Sequence, residues 1–368
     1  MADADVTSAA TIAIDAAGGD KGVEVVVQGV LAAHAEYDNF FRLYGDKESI
    51  LSGLRKHGAE NDPRICVVHA PDVITMDDSP VEAIRTKKES SLVLAAKDVK
   101  KGEASALISP GNTGAVLAAG TLIIGRIRGV ERPGIATILP TKTGHSVLID
   151  VGANAESRPT HLVHFGIMGA IYAKAILGFD KPRIGLLSVG EERKKGNELT
   201  LQALPLFEKL FETEGGRKLG TFQGNVEGRD IVNGKSDVIV CDGFVGNVVL
   251  KFGEALSFTI LDLLKERLVA TPMRKAAAFI LKGAFKEFKK RIDYTEYGGA
   301  PLLGVKHPCI ICHGSSGPNA IKNAIRVSRE ALDSDICSKI ESLVKELETT
   351  SGSDKNGEQK PSEDGAAT

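Results

Sequence analysis

The sequence predicts an α/β protein built on a mostly parallel central sheet. Two observations lead there. Short apolar runs of strand length recur along the chain, and each is followed by a Gly-rich polar turn and then a helical pattern, the signature of βα units. The composition is that of an ordinary globular domain, 42% hydrophobic and 26% charged, which excludes collagen, coiled coil and wholesale disorder. Forty glycines in 368 residues and no tryptophan favour tight turns and close backbone packing over large aromatic anchors.

The elements follow in order. Thr11 to Ile14 reads as a strand running into Asp15-Ala-Ala-Gly-Gly-Asp20, with a helix from about Val23 to Ala35. Phe40 to Tyr44 and Ile65 to His69 are further strands. Ala104 to Ile108 leads into Ser109-Pro-Gly-Asn-Thr-Gly114 and an apolar helix to about Ile124. Ser146 to Val151 leads into Gly152-Ala-Asn-Ala-Glu156, and Ile184 to Val189 into a charged loop, Gly190 to Glu198, with a helix to about Phe211. Val238 to Cys241 precedes Asp242-Gly-Phe-Val-Gly-Asn247, and Ile310-Ile311 precedes His313-Gly-Ser-Ser-Gly317 and a last helix. Ligands of open α/β sheets bind outside the carboxyl ends of strands, so six polar turns at such ends point to a common site.

Two stretches break the pattern. Leu261 to Ile292 is helical, with Met273, Phe279, Ile280, Leu281, Phe285 and Phe288 on an apolar face beside Arg274, Lys275, Lys282, Lys286, Lys289, Lys290 and Arg291. This suits an anionic membrane surface, and equally a dimer interface or a helix packed on the core with its charges in solvent. Thr349 to Thr368 has no large apolar residue and reads as a disordered tail. The expected organisation is one catalytic domain over 1–348 with a protruding amphipathic helical segment over 261–292, then the tail over 349–368.

The net charge of −2 leaves no basic excess for a nucleic-acid backbone. Five scattered cysteines (Cys66, Cys241, Cys309, Cys312, Cys337) argue against a disulfide framework and for a reducing compartment. With no secretory leader pattern and no unbroken apolar run of about 18 residues, the expectation is a soluble cytoplasmic protein. Cys309-Ile-Ile-Cys312-His313 matches a haem-attachment pattern formally, but an apolar strand favours buried structural thiols. No G-x-G-x-x-G dinucleotide fingerprint, Walker A loop, H-E-x-x-H or zinc-ligand spacing is present.

Each polar turn admits two readings. Asn112 and Thr113 sit where helix N–H groups and the helix dipole would receive an anion, and equally where an N-cap belongs. Ser315 and Ser316 read the same way. Lys194, Lys195 and Asn197 lie in a loop able to clamp a phosphate or a developing oxyanion, or simply to be solvated. Asp242 and Asn247 bracket a turn in which an Asn amide could donate to an oxyanion, or either residue could cap the next helix.

Taken together these turns resemble the bacterial phosphate acyltransferases of phospholipid synthesis (acyl-carrier-protein:phosphate acyltransferases). The resemblance rests on Ile12-Ala-Ile-Asp-Ala-Ala-Gly-Gly-Asp20, Ser109-Pro-Gly-Asn-Thr-Gly-Ala115, Asp150-Val-Gly-Ala-Asn154, Lys195-Gly-Asn-Glu198, Asn225-Val-Glu-Gly-Arg-Asp230, Asp242 to Asn247, Tyr297-Gly-Gly-Ala300 and His313-Gly-Ser-Ser316, all in the family's order from about Thr11 to Leu343. Ala17, Lys21-Gly22 and Pro110 depart from its pattern.

The resemblance implies a three-layer α/β/α Rossmann-like fold, similar to isopropylmalate dehydrogenase, and a homodimer. It implies transfer of a long-chain acyl group from acyl carrier protein to inorganic phosphate, with no cofactor and no metal. It also implies membrane docking through the helical excursion (Phe279, Phe285, Phe288, Lys286, Lys289, Lys290), where acyl phosphate passes to a glycerol-3-phosphate acyltransferase. On this basis Lys195 and Asn247 are the expected catalytic pair, with Asn112, Thr113, Asn197, Asp242, Ser315 and Ser316 contacting phosphate or substrate. The choice of Lys195 over Lys194 follows from the Lys-Gly-Asn-Glu match.

Three other functions compete. A phosphate acetyltransferase-like enzyme would use short acyl-coenzyme A with little salt effect, whereas an acidic carrier protein needs basic docking that salt weakens. A non-catalytic membrane adaptor would tolerate Lys195→Ala and Asn247→Ala. A nicotinamide dehydrogenase would need the dinucleotide fingerprint that the chain lacks.

Overall fold

The computed structural model describes residues 9–292 and 298–353. The strands are β1 (Thr11–Asp15), β2 (Phe40–Gly45), β3 (Ile65–His69), β4 (Ala106–Ser109), β5 (Gly134–Thr141), β6 (Gly144–Ile149), β7 (Arg183–Leu187), β8 (Thr221–Val226), β9 (Val238–Val240), β10 (Ala300–Leu303) and β11 (Cys309–Ile311). They form one sheet in the order β3-β2-β1-β4-β11-β10-β5-β6-β9-β7-β8.

The helices before the sheet's second half are α1 (Val23–His34), α2 (Lys47–Lys56), α3 (Pro80–Thr86), α4 (Ser91–Lys101) and α5 (Thr113–Ala119), the last continued by a π-helical turn over Gly120–Gly125. Then come α6 (Pro159–Leu177), α7 (Glu198–Glu212), α8 (Glu214–Leu219), α9 (Asp230–Asn233), α10 (Gly243–Val269), α11 (Pro272–Ile280), α12 (Lys282–Ile292), α13 (Pro318–Asp333) and α14 (Ile336–Ser353).

The expected α/β class is met, with a more specific topology. β3, β2, β1, β4 and β11 run parallel to one another, as do β6, β9, β7 and β8. Between these blocks β10 is antiparallel to both β11 and β5, and β5 is antiparallel to β6. Three reversals leave the two parallel blocks running in opposite directions. They are joined through β10 and β5 by two residue pairs, Leu302 with Ile135 and Leu303 with Gly134.

Each block has its own core. Val26, Val27 and Val30 of α1 pack with Ile321, Ala324 and Ile325 of α13 over Ile12 and Ile14. On the other block Leu162, Phe165 and Met168 of α6 pack over Val147, Ile184 and Val238. A third cluster spans both, with Leu107, Leu148, Ile239 and Leu302 in one continuous layer.

The helical excursion starts earlier than the sequence pattern indicates. Only Gly243 and Gly246 of the 27 residues of α10 are buried, and Phe244, Val248, Phe252, Phe258, Ile260 and Leu263 are exposed along it. The expected start at Leu261 therefore falls inside α10. The boundary was hidden because α10 is apolar around much of its circumference and shows no change of period. α6 and α10 are both long and apolar enough to cross a membrane by length and composition, but α6 is a core helix. α14 runs to Ser353, past the expected tail start at Thr349, and 354–368 lie outside the described residues.

Candidate active site

The polar strand ends of both blocks meet in one cleft. Its walls carry Thr113 after β4, Cys312, His313 and Ser316 after β11, Val151 after β6, and Asn247, Lys251 and Glu254 from α10 after β9. Ile135 and Thr137 of β5 and Ala300 of β10 lie across the junction of the blocks.

Two buried carboxylates fix the loops that form these walls. Asp15, at the end of β1, accepts hydrogen bonds from Ser109 Oγ (2.7 Å), Gly18 N (3.1 Å) and Ala17 N (3.3 Å), and Ser109 Oγ in turn accepts from Gly111 N. That chain ties the turn bearing Thr113 to β1. Asp150, just after β6, accepts from Ile135 N, Gly152 N and Ala153 N on Oδ1, and from Asn154 N and Asn154 Nδ2 on Oδ2, at 2.8–3.1 Å. Burial pushes both carboxyls above the usual range, against the lowering effect of these hydrogen bonds.

α10 leaves the end of β9 against this second loop. Asp242 caps it, accepting from Val245 N at 3.0 Å, and Gly243 N donates to Asn154 O at 2.9 Å. At Gly246 the helix comes so close to the loop that a Cβ would fall 1.8 Å from the Asp150 carbonyl oxygen. This contact directs the next residue, Asn247, into the cleft, and its side chain makes no hydrogen bond among the described residues. Across the cleft, α13 begins after Gly317 with no side-chain cap, and Ser316 and Ala320 flank its first turn on the cleft wall. The positive end of a 16-residue helix and the Ser316 side chain thus lie on the cleft wall that also carries Asn247.

The family model for fatty acid synthesis proteins matches residues 10–339. The chain belongs to that family. It is 48% identical over 337 residues to the phosphate acyltransferase of Pelotomaculum thermopropionicum, covering 92% of this chain and 96% of that protein. It is 47% identical over 329 residues to the phosphate acyltransferase of Aquifex aeolicus, covering 89% and 95%. A phosphotransacetylase from Streptococcus pyogenes shares the fold at TM-score 0.62 and 17% identity, over 89% of this chain and 95% of that one. A branched-chain phosphotransacylase from Enterococcus faecalis does so at TM-score 0.57 and 15% identity, over 87% and 98%.

Within this family member the residues singled out from sequence divide into three groups. Asn247, Thr113 and Ser316 line the cleft. Asn112, Asn197 and Asp242 act as helix caps. Asn112 Oδ1 accepts from Ala115 N while its Nδ2 is directed at the carbonyls of Thr75, Met76 and Asp78, and Asn197 Oδ1 accepts from Thr200 N. Ser315 is exposed, its hydroxyl 2.7 Å from His313 Nδ1 in a local turn.

Lys195 stands apart from the cleft walls. Its loop leaves β7, the neighbour of β9, on the same carboxyl edge as Asn247. Ser188 Oγ and Asn225 Nδ2 donate to the Lys195 carbonyl at 3.1 Å and so fix the loop's backbone. Lys194 and Lys195 are exposed and make no ion pair among the described residues, while Arg193 is paired with Glu208 and Lys235 with Glu191.

Cys309 and Cys312 are buried, and burial pushes both thiols up to about 12. Of the excursion residues, Phe279 and Phe288 are exposed and Phe285 is half-buried. The side chains of Lys286, Lys289 and Lys290, and Tyr297 of the Tyr-Gly-Gly-Ala turn, lie outside the described residues.

The sequence reading missed Lys251 and Glu254. Their signal was present in the spacing, since they stand four and seven residues after Asn247 and therefore on its helical face.

Proposed function

We propose that this protein transfers a long-chain fatty acyl group from the thioester of acyl carrier protein to inorganic phosphate. The observation that supports it best is the placement of the Asn247 amide, unpartnered among the described residues, in the same cleft as the Ser316 hydroxyl and the N-terminal end of α13. One side offers a donor for a carbonyl oxygen, and the other offers the Ser316 hydroxyl and the positive end of the α13 dipole to an anion.

In this reading a phosphate oxygen attacks the thioester carbonyl carbon. A C–O bond forms as the carbonyl electron pair moves onto oxygen, where Asn247 Nδ2–H stabilises the oxyanion. Collapse breaks the C–S bond, and the departing thiolate takes up the proton released by hydrogen phosphate. Lys195, one strand away on the same edge, supplies positive charge to the thioester end. Positioning and charge stabilisation carry the rate.

The reading extends to assembly and place. The exposed apolar length of α10 pairs two copies as a homodimer. α11 and α12 rest on an anionic membrane surface from the cytoplasmic side, where a glycerol-3-phosphate acyltransferase receives the product.

The test is turnover of long-chain acyl-carrier protein with phosphate, trapping acyl phosphate as hydroxamate. Phosphate-dependent hydroxamate is expected, with Asn247→Ala and Lys195→Ala each losing about 10²-fold or more in kcat. Wild-type protein that makes none would overturn the proposal and bring forward the membrane adaptor. Fast turnover of short acyl-coenzyme A without salt dependence would favour the acetyltransferase-like enzyme.

A further inference from the structure

The cleft holds one cation the proposed reaction has not used. Lys251 lies on the cleft wall one helical turn beyond Asn247, its side chain 51% exposed, with Nζ 3.3 Å from Glu254 Oε2. Glu254 is the more enclosed partner, at 14% side-chain exposure. The spacing fits the chemistry. Four residues along a helix span about 6 Å, enough for a phosphate held by an ammonium at one end to bring an oxygen within about 3 Å of a carbonyl carbon at the other.

We propose that Lys251 is the residue that holds the attacking phosphate, and that Glu254 occupies its ammonium group until phosphate arrives. An i,i+3 pair with a half-exposed lysine is weak and exchanges readily. Hydrogen phosphate carries more charge than a carboxylate and meets a further donor on the cleft wall in the Ser316 hydroxyl. It therefore displaces Glu254, whose carboxylate must turn away because it would repel the dianion. Lys195 is left to serve the thioester end. The assignment rests on the phosphate acyltransferase reading.

The two residues then have effects of opposite sign, which a purely structural pair would not. In steady-state assays with acyl-carrier protein, Lys251→Ala is expected to raise KM for phosphate tenfold or more, with Lys251→Arg restoring most of it. Glu254→Gln is expected to lower KM for phosphate several-fold, because the competing anion is gone. A readout independent of turnover is the rise in melting temperature on adding inorganic phosphate, expected to shrink in Lys251→Ala and to grow in Glu254→Gln. Lys251→Met, which keeps the aliphatic stem, replaces Lys251→Ala if the latter fails to fold. An unchanged phosphate KM in a folded Lys251 variant, or a Glu254→Gln that weakens phosphate as Lys251→Ala does, would overturn the inference. A wild-type enzyme with no phosphate-dependent product would instead remove the reading beneath it.

Discussion

At the scale of single residues, two buried aspartates organise the site through hydrogen bonds to the chain itself. Asp150 accepts five N–H bonds with two oxygens, and its loop is the seat of α10 and thus of Asn247. An asparagine there would turn an NH₂ toward N–H donors, leaving at least one of them without an acceptor at about 1–3 kcal/mol each. Asp150→Asn is therefore expected to lower the melting temperature and, by loosening the loop, the rate. An unchanged thermal melt would show that the loop holds without the second oxygen. Such roles were only partly legible beforehand. Asp150 stood inside a recognised turn, but nothing in Asp150-Val-Gly-Ala-Asn154 distinguishes a carboxylate that binds a ligand from one that binds its own backbone. The same ambiguity applied to Asn112, Asn197 and Asp242, which the fold uses as caps, because a residue suited to an anion-binding turn is also suited to an N-cap.

At the scale of elements, strands followed by polar turns were readable because their apolar runs are short and punctuated. β5, β8 and β10 were not, and β6 was readable as a strand but not as half of a hairpin. β5 ends in Pro140-Thr141 and the connection is Lys142-Thr143, without the Asn-Gly or Asp-Gly of a short hairpin, and β10 has four residues. The start of the excursion was placed too late for a different reason, since the exposed face of α10 is apolar and only its surroundings reveal that nothing among the described residues covers it.

The tip of the excursion retains a strongly basic composition beside Met273 (82% exposed) and Phe279 (76% exposed). Reversing charge at Lys286, Lys289 and Lys290 together is expected to abolish sedimentation with anionic vesicles while leaving turnover of soluble acyl-carrier protein intact. Undiminished vesicle binding would assign these helices to subunit contact alone.

At the scale of the whole molecule, the site belongs to neither block. Three reversals in the middle of the sheet turn the two parallel blocks head to head, so turns separated by up to about 200 residues share one cleft. That arrangement could not be read from local pattern, since the direction of each strand relative to the others is set by β10 and β5. The chain's closing segment is equally decisive, because β11 completes the first block beside β4 and α13 covers α1. A chain ending at residue 292 is expected to be insoluble or to lack a cooperative thermal transition by circular dichroism. A cooperative melt from that fragment would show that the fold forms without β10 and β11.

The pairing of β4 with β11 also sets a timetable. Synthesis at about 5–20 residues per second separates these strands by roughly 10–40 s on the ribosome. Throughout that interval the nascent N-terminal block presents an unpaired inner edge and a bare helix flank. Anything that slows translation between them lengthens the time during which a half-made sheet can pair with the wrong neighbour.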